Sequence, residues 1–386
     1  MMTTTSKHDR ARARTRGEQG VTLVELMVAI LLAAILSAGL FYFMSAQSAV
    51  YQGQMKQSRA QLNLATTLEF LQREIRHAGY GLGCAQPVVK AGAQPLSALT
   101  VYNNCNLLTT NPSACPTAGD KADSFSVTHA DVTAGASTVT ALALAQAMSS
   151  PTDELLVAQK GSLQACDRIS LWSPDSNACV LLVATALTQL TTGAQSGKWK
   201  LDHGAGCSGS GDAYNNPAWP SGGFGTGAIV SRIAPSTVAR HFAVDTSVTP
   251  PRLVTWTTNN ANPSADRGSG FEVVADDIED MQIAWACDAN GDGVISEGAS
   301  DTDKRSDEWA ANVAGDSAPS CGIHPVSSVR VTLVARSASP DPQFNGGRRP
   351  AAEDRPGAAD KTAYPNIVGT YTRAVIVSTV QPRNVR

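Results

Sequence analysis

Charge is scarce in this 386-residue chain, with Asp, Glu, Lys and Arg together making up 16%. The balance is nearly even, at −3. No basic excess, and no interleaving of basic with aromatic side chains, offers a surface for nucleic acid. Zinc and redox motifs are missing too. None of the cysteines forms C-x-x-C, and there is no H-E-x-x-H. His129, His203, His241 and His324 are scattered without a paired nucleophile, so each reads as a surface or satisfied core residue, and no enzyme is expected. Gly206-Cys207-Ser208-Gly209-Ser210-Gly211 lacks the strand-to-helix context of a phosphate loop and reads as a flexible connection. No internal repeat stands out. Proline is absent from Ser45 to Ala78, which leaves that stretch free to be one helix.

What the chain does have begins at its N-terminus. An apolar run from Val21 to Phe43 follows a basic leader ending in Gly20. As a helix it is long enough to cross a ~30 Å hydrocarbon core. Lys7, Arg10, Arg12, Arg14 and Arg16 precede it against only Asp9 and Glu18, so the N-terminus is expected to stay cytoplasmic. An ordinary secretory signal would carry a shorter apolar region with its cleavage site behind it. Inside the run sits one acid, Glu25. A carboxylate near the start of a membrane span is costly, so it calls for a role. The plain alternative is a single-pass anchor with a chance glycine and glutamate.

Helical patterning continues past the span. Met55, Leu62, Ala65, Leu68, Leu71 and Ile75 recur at helical steps and predict a narrow apolar stripe. Arg73, Arg76 and His77 suit the negative end of a helix, and Gly79 suits its C-cap. Beyond it, short runs rich in Thr, Ser and Val alternate with Gly- and Pro-rich breakers, the pattern of strands joined by long turns. Strands are expected at Ser124–His129, Glu154–Gln159, Arg168–Trp172, Cys179–Thr185 and Lys198–Asp202. Ala228–Ala234, Val238–Val244, Arg252–Thr257, Phe271–Ala275, Ile278–Cys287, Val326–Arg336 and Thr370–Val380 follow. One α+β head, largely antiparallel, is the expectation, with a division into two lobes near residue 205 left open. Trp172, Trp199, Trp256 and Trp285 fall within strands and read as core.

The segment Gly17–Leu26, GEQGVTLVEL, resembles the class III signal of type IV pilins and type II secretion pseudopilins. The resemblance implies that a prepilin peptidase cuts between Gly20 and Val21 and methylates the new N-terminus. Val21 departs from the phenylalanine the family prefers; Thr22 matches its pattern. It further implies that Glu25 of one subunit neutralises the N-terminal amine of its neighbour within an apolar bundle, which specifies axial register.

Leu71–Cys84 (LQREIRHAGYGLGC), Val273–Asp280 (VVADDIED) leading into Met281-Gln282-Ile283, Val326–Ser337 and Tyr371–Asn384 resemble PilW-type minor pilins. The stretch from about residue 85 to 270 matches only in style. The implied fold is that of a type IV pilin: a long N-terminal helix on a β-rich head with long loops. Its parts would be a leader at 1–20, a membrane and filament half-helix at 21–43, an amphipathic half at 44–79 and an exported head at 80–386. Removing the leader leaves 366 residues at net −6, large for a major pilin and so in favour of a low-copy subunit. The implied partners are other minor pilins, the major pilin, the prepilin peptidase, the inner-membrane assembly platform and a large tip adhesin. The implied role is priming of filament assembly or a place at its tip. A J-type pseudopilin of type II secretion, or a tip subunit that itself binds a ligand, are the alternatives.

The eight cysteines, Cys84, Cys105, Cys115, Cys166, Cys179, Cys207, Cys287 and Cys321, all follow the span, which reads as disulfides on the exported side. Loop proximity suggests Cys105–Cys115, Cys166–Cys179 and Cys287–Cys321, leaving Cys84–Cys207. Between the last pair lies the one stretch with metal chemistry. Asp288, Asn290 and Asp292, followed by Gly293, copy the start of an EF-hand loop. The twelfth position is Ala299, so Glu297 or Asp301 would have to complete the shell of a calcium ion. Asp-Gly-rich loops also occur in PilW-like chains, and the J-type pseudopilin is associated with calcium. A merely polar Asx/Gly turn is the competing reading.

Overall fold

The computed structural model describes residues 21–83, 97–110, 122–130, 141–174, 178–207, 215, 217–233, 237–258, 270–287, 295, 308–310, 326–339 and 371–383. It divides into two compact units, Met1–Met55 and Lys56–Arg386. Helix α1 (Leu23–His77) contributes to both. In the first unit, most side chains of the helix are exposed, and α1 is long and apolar enough to cross a membrane.

In the second unit, α1 is amphipathic. Ala60, Leu64, Thr67, Leu68, Leu71, Glu74 and Ile75 are buried. The expected stripe is therefore corrected in part. Leu68, Leu71 and Ile75 face the core, but Leu62 is 66% exposed, Ala65 is exposed too, and Met55, the last residue of the first unit, is 40% exposed. Leu62 lies two residues, or about 200°, from Leu64 around the helix, so a sheet that covers one cannot cover the other.

Strands follow as β1 (Leu99–Tyr102), β2 (Ser124–Ala130), β3 (Ala141–Ala143), β4 (Leu155–Val157), β5 (Asp167–Trp172) and β6 (Cys179–Ala184). Then come β7 (Ala186–Gln189), β8 (Trp199–Asp202), β9 (Ile229–Arg232), β10 (Thr237–Asp245) and β11 (Arg252–Thr258). The last are β12 (Glu272–Asp276), β13 (Ile278–Ala286), β14 (Trp309–Ala310), β15 (Ser328–Arg336) and β16 (Arg373–Val380). The expected strands fall on these within a few residues. β1, β3, β7 and β14 were not expected.

Every strand pair is antiparallel among the described residues. Two sheets, ordered β1-β2-β10-β11-β12 and β14-β13-β15-β16, lie under the helix. Their inner faces supply Phe125, Val127, Phe242, Leu253, Ile283, Val331 and Leu333 to one core with Leu64, Leu68, Leu71 and Ile75. Phe125 stacks on Phe242 at 4.7 Å, and Phe70 of α1 meets Phe242 edge-on at 6.1 Å. Asp123 stitches the two sheets together. Its backbone N–H donates to Met281, while its buried carboxylate accepts the N–H groups of Ile283 and Asn104, each at 2.7 Å.

The other two sheets, β3-β9-β5-β6 and β4-β8-β7, form a second lobe with its own core around Leu155, Leu163, Ile169, Leu171, Val180, Leu182, Leu201, Phe224 and Val230. Lys56–Arg386 remains one compact unit, and the separate core within it does not begin near residue 205. The whole second lobe is inserted between β2 and β10, whose facing ends, Ala130 and Thr237, are direct cross-strand partners. Strand β6 joins the lobes, with Val180 and Leu182 in the second core and Leu181 in the first.

The helix leaves through Gly79, Gly81 and Gly83, all at positive φ. Gly79 N–H bonds Thr128 O at 2.9 Å, and Ala130 N–H bonds Tyr80 O at 2.7 Å, so the turn runs along the end of β2. A Cβ on Gly83 would lie 1.9 Å from Ser170 Oγ in the inserted lobe, and one on Gly81 would lie 2.5 Å from Ala130 Cβ. Only glycine fits either place. Gly79 is where the C-cap was expected.

Candidate processing and assembly site

Gly20 lies outside the described residues, whereas Val21, Thr22 and Glu25 are described and exposed. Thr22 sits just before the first helical residue. Its hydroxyl accepts the Glu25 N–H at 3.3 Å, and its carbonyl accepts the Leu26 N–H at 3.1 Å. Thr22-x-x-Glu25 is therefore the Thr-x-x-Glu pattern of a capping box, with the threonine half of the box formed. The acid stands in the first helical turn, where the helix dipole favours negative charge. Two demands on Glu25 thus coincide: it suits the helix start, and it holds a carboxylate three residues beyond Thr22 in an otherwise apolar surface. A residue-level reading of the signal names Thr22 and Glu25 but not this coupling, which needs the helix to begin at Leu23.

At the head, Glu74 is a buried charged side chain that sequence reasoning missed. It is a buried carboxylate on α1, 3.3 Å from Arg240 of β10 and 3.8 Å from Arg73. Both guanidinium groups also lie over the Phe70 ring, at 5.4 and 5.8 Å. Gln72 donates to Ser378 of β16 at 2.7 Å, and Asn63 donates to Asp276 O at the end of β12. Polar residues on the sheet-facing side of the helix were the available signal. Together these contacts fix α1 against both sheets of the first lobe.

The proposed calcium ligands Asp288, Asn290, Asp292, Glu297 and Asp301 lie outside the described residues. Their frame is visible. Strand β13 ends at Ala286, and Cys287 N–H donates to Glu308 O at 3.2 Å before β14 pairs back on β13. The stretch joins β13 to β14 in sequence, and those two strands are an antiparallel pair. Ile295 packs against Ala284, Ala286 and Trp309 within that connection.

The cysteine pairing departs from expectation. Cys166 bonds Cys207 with Cα atoms 5.5 Å apart, which overturns both Cys166–Cys179 and Cys84–Cys207. Cys179 opens β6, antiparallel to β5, and sits across from Trp172 at the far end of the ladder from Cys166. Short sequence separation therefore did not mean proximity. Cys105, Cys179 and Cys287 are also disulfide-bonded, while Cys84, Cys115 and Cys321 lie outside the described residues.

His241 is buried in β10, where Ser126 Oγ bonds its Nδ1 and Thr258 Oγ1 lies 2.9 Å from its Nε2. Burial pushes its pKa down to about 4. It is a satisfied core histidine, as the sequence suggested.

Residues 241–384 match the family model of the type IV pilus-assembly protein W, and residues 15–41 match the prokaryotic N-terminal methylation motif. Among solved structures, a type IV-like pilin from Thermus thermophilus is similar at 11% identity and a TM-score of 0.31, over 84% of this chain and 95% of that one. No curated protein matches.

Proposed function

We propose that the chain, which carries a PilW-like region behind a type IV methylation motif, is a minor type IV pilin that primes filament assembly from the inner membrane. Prepilin peptidase cuts between Gly20 and Val21, and the mature chain is held by α1 with its N-terminus cytoplasmic and its head periplasmic. On extraction it enters a complex with other minor pilins, with the major pilin stacked beneath and a large adhesin above. The observation that carries this reading is the lone acid at the start of an exposed apolar helix. Glu25 is three residues beyond the capping Thr22, and Val24, Leu26, Met27 and Val28 around it are each at least half exposed. A carboxylate there finds compensation most readily in a cation delivered by another subunit.

We also carry the loop Asp288, Asn290, Asp292 with Glu297 or Asp301 as a proposed weak calcium site, on its ligand pattern. The family is structural, and no residue is assigned a catalytic role.

The test is processing and assembly in the cell. Gly20→Ala is expected to leave a longer, unprocessed chain in the inner membrane. Glu25→Ala is expected to insert and be cut normally, yet to lose piliation and co-purification with partner pilins. A mature N-terminus other than Val21 by mass spectrometry would overturn the cleavage assignment. Unchanged piliation in Glu25→Ala would overturn the role given to the carboxylate.

A further inference from the structure

The inserted lobe is an addition to the sheet that β2 and β10 form, though its Leu181 and Ile233 also reach the first core. Its ends meet at the paired residues Ala130 and Thr237, it has its own core and the Cys166–Cys207 disulfide, and it lies outside both matched segments. Nothing in the pairing of β2 with β10 requires it. On its three-stranded sheet it carries a cleft of about 540 Å³, the size of small-molecule sites.

The cleft is built from several elements. Lys200 of β8 extends into it between two carboxylates, 3.0 Å from Glu154 and 3.5 Å from Asp202. All three side chains remain partly exposed, from 31 to 55%. His203 is held by its Nε2 against Asp153 O at 3.0 Å, which leaves Nδ1 unassigned to that contact. Two further groups shape the walls. The Asp153 carboxylate accepts the N–H groups of Ser149 and Ser150 at 2.7 and 2.9 Å, fixing the loop before β4. Buried Asn215 accepts Val183 N–H and donates to Val183 O and Gly204 O, so its amide takes the place of a strand along β6.

We propose that this cleft is a saccharide-binding site, specific for neutral sugars, carried by the inserted lobe. Glu154, Lys200 and Asp202 present acceptor, donor and acceptor in sequence at hydrogen-bond spacing. Neighbouring sugar hydroxyls, each able to donate to a carboxylate and accept from an ammonium, match that order. Asp153, Glu154 and Asp202 against Lys200 leave two net negative charges, which disfavours sialylated, sulfated or phosphorylated ligands. Hydrogen bonding to Glu154, and then the charge of Asp202, hold the Lys200 pKa above its ordinary value. The donor thus stays charged. Open and polar, the site is suited to weak binding, about millimolar per cleft, and to avidity when several sugars are offered.

The reading goes beyond the minor-pilin assignment and fails separately from it. Full-length chain in a polyoxyethylene-ether detergent, which carries no sugar headgroup, is titrated with glucose, galactose and N-acetylglucosamine by saturation-transfer NMR. Sialic acid and an arginine-containing peptide are run alongside. The expected result is saturation by at least one neutral sugar, and none by sialic acid. Glu154→Gln with Asp202→Asn, and separately Lys200→Gln, are expected to weaken binding at least tenfold while far-ultraviolet dichroism and cellular piliation stay unchanged. No neutral sugar bound at 50 mM (about the top of a practical titration for a millimolar site), binding unaltered in both variants, or binding of the arginine peptide alone would each overturn the proposal.

Discussion

Acid should loosen the first lobe through His241, and the size of the effect follows from its surroundings. The ring is fully buried between β2 and β11, with two hydroxyls for partners and Trp256 at 5.2 Å. Neither partner offers a negative charge to an imidazolium. Its pKa accordingly falls from 6.5 to about 4, by burial. In the unfolded chain the same ring protonates near 6.5, so between pH 6.5 and 4 the unfolded state binds more protons. Stability then rises with pH in that window, is complete above it, and is lost as pH falls toward 4. Each unit of difference is worth 1.36 kcal/mol, so the histidine accounts for about 3 kcal/mol in all, most of it gone by pH 4.5. The assay is urea unfolding of the full chain in detergent, followed by tryptophan fluorescence from pH 8 to 4.5, beside His241→Gln. The variant is expected to be less stable at pH 8 by about 1–2 kcal/mol through a lost hydrogen bond, but flatter with pH. Parallel profiles for the two chains, within about 0.5 kcal/mol at every pH, would refute the reasoning, because surface carboxylates common to both would then explain the whole acid response.

Gly83→Ala forces a Cβ into Ser170 Oγ at a left-handed backbone position and is expected to cost about 2–3 kcal/mol in urea titrations. Ser170→Gly in the same chain should recover the steric part only. Non-reducing peptide mapping is expected to yield a fragment joining Cys166 to Cys207. The double serine variant should destabilise the inserted lobe by about 4 kcal/mol, from the 41-residue separation. Millimolar calcium should raise the melting temperature of the full chain, and Asp288→Ala with Asp292→Ala should abolish that rise; an equal rise in the variant leaves only a polar turn.

The N-terminal fifth was legible because its structure is local. Helix α1 needs only 3.6-residue periodicity, a run free of proline and the glycine at its end, so Leu23–His77 lies within two residues of the expected span. Thr22 and Glu25 were likewise legible, being three residues apart on one chain. Most strands were found by the same logic, since an alternating or fully apolar run shows itself without a partner. Identity of the signal, and of the Val326–Ser337 and Tyr371–Asn384 strands, came from residue order alone.

Tertiary structure decided whatever depends on which segments meet. The face of α1 that is buried was set by where the sheets lie, and so Leu62 is exposed while Glu74 is inside beside Arg240. Cys166 pairs with Cys207 across 41 residues rather than with nearby Cys179, because an antiparallel ladder carries Cys179 to its opposite end. The insertion between β2 and β10 was hidden for the same reason: Ala130 and Thr237 are neighbours only once the strands have paired. Local patterns fix elements through short-range sterics and periodic burial. Pairings across tens of residues are chosen by packing, which no single segment encodes.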